Sequence, residues 1–124
     1  MSGGALSGKV SELPFTWQFD EETGLAQLET RAEDPYSINL AYVQLEGRLY
    51  FYAGDTRTNW VKHIEKNPLV RIRVGEMIYP GRAVRVTNDS EINSFAEIWV
   101  DGSVFQRDPR NFKEVWLYRL EARY

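Results

Sequence analysis

The segment Tyr52-Ala-Gly-Asp-Thr-Arg-Thr-Asn-Trp60 concentrates much of the chemistry this sequence can offer. Two hydroxyls, a guanidinium and a carboxamide follow a glycine at the point where strand-forming residues give way to helical spacing. The first amides of a helix have no partner inside it and their dipoles favour an anion, so such a junction is a natural seat for phosphate. Arg57 has the planar fork that clamps phosphate oxygens, Thr56, Thr58 and Asn59 supply short hydrogen-bonding groups, and Lys62 follows a turn later. The same residues also suit an ordinary helix start, with Thr58 or Asn59 as N-cap and Arg57 solvated in the loop.

Other chemistries find less support. Without cysteine there is no disulfide, zinc finger or thiol nucleophile. His63 is the sole histidine, so a multi-histidine metal site is excluded, and its place on an amphipathic helix suits a boundary residue better than a catalyst. Glu21-Glu22 and Glu33-Asp34 are adjacent carboxylates in turn-like surroundings, where solvation explains them better than paired acid and base work. Arg71, Arg73, Arg82 and Arg85 fall on neighbouring strands and form a basic stripe, either balanced by nearby glutamates or serving as a seat for an acidic substrate.

These candidates are positioned by elements that the hydrophobic period makes legible. From Gly24, Ala26, Leu28 and Thr30 alternate with Leu25, Gln27 and Glu29 as in a half-buried strand that ends at Glu33-Asp34-Pro35. Ile38, Leu40 and Tyr42 keep period two up to Leu45, and Glu46-Gly47 turns the chain into a third strand through Ala53, which makes an antiparallel meander. Trp60, Val61 and Ile64 then fall at helical spacing until Asn67-Pro68 stops the helix. Val70, Ile72 and Val74 begin a hairpin that turns at Gly75-Glu76 and returns through Thr87, with Pro80-Gly81 expected at a bulge or an edge. Asn88 and Glu91 open a second helix with Ile92, Phe95, Ala96 and Trp99 on its apolar stripe. Asp108 to Asn111 reads as a turn or a short helical turn, and Trp116, Tyr118, Leu120 and Ala122 close the chain on a strand. Phe15 to Asp20 fits a short strand or a turn equally well.

The 124 residues suit one domain, with residues 1–12 as a flexible start and 13–124 as the folded unit. Hydrophobic residues at 43% and charged residues at 27% are the balance of a soluble globular protein. A net charge of −3 provides no global field for nucleic acid, and no apolar run is long enough for a membrane span. Met1 to Gly8 lacks the basic head and apolar stretch of a secretory signal, so a cytoplasmic location is expected. Aromatics at 14%, Trp99 and Trp116 among them, are a heavy load suited to core and subunit contacts.

The order of these motifs resembles the FMN-binding split-barrel superfamily that includes pyridoxamine 5'-phosphate oxidase. The likeness is carried by Arg48-Leu-Tyr-Phe-Tyr-Ala-Gly54, then Thr56-Arg-Thr-Asn-Trp60, then His63-Ile-Glu-Lys-Asn-Pro-Leu-Val-Arg-Ile-Arg-Val74, and runs from Gly24 to Thr87. It implies a mainly β, α+β fold: an antiparallel split barrel of about six strands with two or three short helices. It also implies FMN, with the phosphate on Thr56, Arg57, Thr58 and Asn59 and with Lys62 nearby. The ring system would lie along Ser37 to Tyr42, including Asn39 and Leu40, and along Tyr52, Ala53 and Gly54, with Trp60 beside them. A homodimer with the site between subunits and flavin-dependent oxidoreduction of a small molecule follow from the same likeness. Arg57-Thr58 stands where the oxidases have consecutive basic residues, so one charge is absent. Trp60 with Asn67-Pro68 is closer to the deazaflavin-dependent nitroreductase-like branch, which keeps a deazaflavin as an alternative, and the absent charge keeps a non-catalytic flavin-binding module as another.

Overall fold

In a computed structural model of the chain, the described residues are 6, 9–10, 23–31, 35–53, 58–101 and 115–122. Seven strands and two helices follow one another: β1 (Lys9–Val10), β2 (Thr23–Thr30), β3 (Tyr36–Leu45), β4 (Arg48–Tyr52), α1 (Asn59–Lys66), β5 (Leu69–Val74), β6 (Met77–Arg85), α2 (Asp89–Asp101) and β7 (Leu117–Glu121). β6 pairs with β7 as well as β5, so β2 to β7 close into a six-stranded antiparallel barrel in the order β6-β5-β2-β3-β4-β7. The expected fold class is thus the observed one. The short β1 was not anticipated, because two residues carry no periodicity, and it lies parallel to the start of β6.

Period two becomes inside and outside. Ala26 and Leu28 of β2, Tyr42 of β3, Leu49 and Phe51 of β4, Val70 and Ile72 of β5, Ala83 of β6 and Tyr118 and Leu120 of β7 form one buried cluster. Trp60, Val61 and Ile64 of α1 join it. Burying each such side chain contributes on the order of 1.5–3 kcal/mol, so the apolar stripe of this eight-residue helix, rather than its length, holds it in place.

A second cluster lies on the other face of the strands. Val43, Tyr50, Val86 and Leu117 meet Phe95 of α2, with Tyr52, Ile92 and Trp99 packed against them. Asn88 caps α2 as its sequence suggests: its Oδ1 accepts from the Glu91 amide at 3.1 Å. The Glu91 side chain is used elsewhere, on Tyr50 and Arg119.

Turn residues set the register. Glu46 and Gly47 both have positive φ, 50° and 76°, as a two-residue hairpin between twisted strands requires. Gly75 takes φ 62° ahead of Glu76 in the second hairpin. Pro80 lies in the edge of β6 that faces β1 and β7, between Ile78, which pairs with β1, and Arg82, which pairs with β7. Ala83 donates to Pro68 and Val86 to Leu117, so alternation turns the position of the missing Pro80 donor towards this split. The expected edge position is therefore found, and the β5–β6 register runs through it without a bulge. Next to it, a Cβ on Gly81 would stand 2.6 Å from Leu120 Cδ1 and 3.0 Å from the Glu121 carbonyl, so the bare position lets β6 and β7 approach closely where the barrel closes. No helix among the described residues is long and apolar enough to cross a membrane.

Candidate functional site

The junction singled out by its chemistry lies where β4 leaves the barrel. The Ala53 amide donates to the Trp116 carbonyl at 2.9 Å, tying the end of β4 beside β7. Gly54, Thr56 and Arg57 lie outside the described residues. Thr58 then occupies the N-cap of α1 with extended backbone, φ −68° and ψ 173°, and its carbonyl accepts from the Lys62 amide at 3.1 Å.

This N-cap is incomplete. The Thr58 side chain makes no capping bond, and its Oγ1 is buried without a hydrogen-bond partner among the described residues. No acidic residue stands in the first turn to answer the positive end of the helix, while His63 and Lys66 follow in the last turn. Asn59 and Lys62 are exposed, three positions apart and so on one side of the helix. The helix is anchored beneath them: Trp60 is 5% exposed and packs against both Phe51 and Tyr118, with ring centroids at 5.7 and 5.8 Å, while those two rings stack on each other. The Trp60 ring therefore belongs to the barrel interior. The arrangement can accept an anion, since the first amides of the helix and the buried Thr58 hydroxyl have no acidic partner in the first turn among the described residues.

The remaining residues named from sequence divide by strand alternation. Leu40 packs against the interior cluster. Tyr52 faces outward under α2, edge-on to Phe95 at 5.3 Å and to Trp99 at 5.2 Å. Asn39 is exposed on the outer face of β3 and lines a depression of about 450 Å³ with Leu25, Ala26, Gln27, Arg73 and Gly75. The structure thus brings Thr58, Asn59 and Lys62 together at one helix start, sends Leu40 and Trp60 inward, and separates Tyr52 from Asn39.

Two arrangements were not evident from sequence. His63 Nδ1 lies 2.9 Å from Oγ1 of the buried Thr30, and the ring stands edge-on to Tyr36 at 4.8 Å, which ties α1 to β2 and β3. Thr30 ended an alternating strand and His63 sat at the margin of a helical stripe, so nothing local linked residues so far apart. The basic stripe also divides. Arg71 pairs with Glu29, Arg85 lies over the Trp116 ring at 3.8 Å, and Arg73 turns to Gln27 and Gly75. Among the described residues no group of His, Cys, Asp and Glu could hold a metal ion.

No protein-family model matches the sequence, and no curated protein matches it. Solved structures do match in shape. A NimC/NimA family protein from Clostridium acetobutylicum superposes with a TM-score of 0.63 at 15% identity, covering 80% of this chain and 74% of that one. A Listeria innocua protein provisionally assigned as a pyridoxamine 5'-phosphate oxidase gives 0.63 at 14% identity, covering 81% and 84%. An F420-H2-dependent reductase gives 0.59 at 12% identity, covering 78% and 93%. At such identities the likeness is one of fold: this chain has the barrel that these three proteins share.

Proposed function

We propose that the protein is a flavin-binding split-barrel oxidoreductase that holds FMN by its phosphate at the start of α1 and acts on a small molecule. The observation that carries this reading is the buried Thr58 hydroxyl without a partner, at a helix start with no acid in its first turn. An unmet buried hydroxyl costs about 1–3 kcal/mol, and a phosphate oxygen there would satisfy it together with the unpaired helix amides. Asn59 and Lys62 stand on the exposed side of the same turn, and the sequence adds Thr56 and Arg57 just before it. Trp60, packed against Phe51 and Tyr118, keeps the helix start in place.

Bound FMN would supply the hydride or electron chemistry, and the chain's own residues would supply position and charge. The fold shared with an F420-H2-dependent reductase favours a second reading, a deazaflavin at the same helix start. In either case we propose a cytoplasmic homodimer with the site at the subunit boundary, a reading supported by the aromatic content and the resemblance in sequence order.

The test is the absorption spectrum of protein purified without added cofactor, followed by titration with FMN and with F420. Flavin bands, or saturable uptake of FMN, are expected. Arg57→Ala should weaken retention by about 1.5–3 kcal/mol, the worth of a charge-assisted hydrogen bond, and Thr58→Val should weaken it while Thr58→Ser does not. Preference for F420 selects the second reading. Colourless protein that takes up neither cofactor rejects both, and sedimentation analysis checks the dimer.

A further inference from the structure

We infer that the outer face of the barrel carries a seat for a small organic carboxylate, built around Arg73. Two cross-strand pairs stand side by side on β2 and β5: Glu29 opposite Arg71, and Gln27 opposite Arg73. The first pair is closed. Glu29 is 4% exposed, with Arg71 Nη1 at 3.4 Å and the Leu6 amide donating to it at 2.7 Å. In the second pair a carboxamide takes the place of the carboxylate, so the Arg73 charge has no counter-ion among the described residues.

That guanidinium is also oriented in advance. Its Nε donates to the Gly75 carbonyl at 3.0 Å and its Nη1 to Gln27 Oε1 at 3.4 Å, which leaves the Nη2 hydrogens unused among the described residues. It forms a wall of the 450 Å³ depression, a volume within the range of small-molecule sites. Gln27 and Asn39 bring carboxamides to the same depression, and Leu25, 81% exposed, offers an apolar surface. Gly75 contributes no side chain, and the space where its Cβ would stand is open.

A planar guanidinium edge flanked by amides matches a carboxylate, and the leucine matches an organic remainder. A single uncompensated cation suits a monoanion better than a doubly charged phosphate. No residue of α1 lines the depression, so the seat does not use the proposed phosphate corner, and it shares only Asn39 with the strand along which the resemblance lays the flavin ring.

The experiment is calorimetric titration of the full-length protein with benzoate and with benzamide, its neutral counterpart. Benzoate should bind and benzamide should not. Arg73→Gln should lower benzoate affinity at least about tenfold, the loss expected for a charge-assisted contact. Gln27→Glu, which supplies an internal counter-ion while leaving Arg73 in place, should lower it similarly and guards against a misfolded Arg73 variant. Arg82→Gln, an exposed charge opposite Leu69 at the far end of β5, should leave it unchanged, as should Arg57→Ala in the proposed flavin site. Equal binding of benzamide, absence of benzoate binding, or unchanged affinity in both Arg73→Gln and Gln27→Glu would overturn the proposal.

Discussion

The Tyr50 hydroxyl on β4 donates to Glu91 Oε2 of α2 at 2.5 Å, and the same oxygen accepts from Arg119 Nη1 of β7 at 2.6 Å. A single carboxylate oxygen therefore joins the second helix to two strands of the barrel. Arg119 also reaches Glu121 Oε2 at 2.8 Å, so the guanidinium is held from both sides.

Burial, then the hydrogen bond and negative charge of Glu91, push the Tyr50 phenol from 10.0 up to about 12. In the unfolded chain the phenol ionises near its ordinary value, so the stability it contributes is complete below about pH 10 and is lost as pH rises towards 12. A shift of this size would carry roughly 2–3 kcal/mol in full, and solvent screening of the phenol reduces the expected loss to about 1 kcal/mol. Tyr50→Phe should be less stable at neutral pH and should lack that part of the alkaline decline. Urea unfolding between pH 7 and 12 measures both, and parallel decline in the two proteins would refute the assignment.

Glu91 behaves in the opposite sense. Burial works to raise its pKa, but hydrogen bonds from Tyr50 and Arg119, with the Arg119 charge, hold it below the usual carboxylate value. Its contribution is therefore present above the unfolded pKa and disappears as pH falls through the lower folded one. Glu91→Gln should reduce stability at neutral pH and flatten the acid side of the profile. Thermal unfolding from pH 7 to 3 distinguishes this from a variant that merely lowers the whole curve.

Barrel closure gives a third expectation. Gly81→Ala would place a methyl group 2.6 Å from Leu120 Cδ1 and 3.0 Å from the Glu121 backbone carbonyl. The side chain can shift, but the backbone of β7 has to move with it, so the cost should be about 1–3 kcal/mol. Chemical denaturation reads the loss, and hydrogen exchange should place it in β6 and β7. A neutral substitution would mean that the strands part more easily than their packing suggests.

Much of the architecture could be read along the chain because local rules and global packing agree. Leu28 and Ile72 alternate with polar neighbours, and the structure turns both inward; Trp60, Val61 and Ile64 share a helical stripe, and all three are buried. Asn88 reads as a helix start and caps one. Period was less decisive where both faces are covered. Leu117 packs under α2 while Tyr118 packs inside, and Glu29, in a polar position, is buried by its ion pair and the Leu6 amide.

The candidate site was only partly legible for a related reason. Residue types and their order located a polar helix start, and Thr58, Asn59 and Lys62 do gather there. Whether the Thr58 hydroxyl caps its own helix depends on backbone geometry and burial, which the sequence does not state.

Residue order and type were enough to give the succession of β2 to β7 with the two helices, the two hairpin turns and most of the inward faces, since each depends on period and backbone preference within a few residues. That β6 meets β7 beside Gly81, that Glu91 joins Tyr50 to Arg119, and that among the described residues Arg71 has a carboxylate partner while Arg73 has none, came from the packing of the folded chain. Those outcomes are set by which strands become neighbours, and neighbours in a closed barrel come from distant parts of the chain.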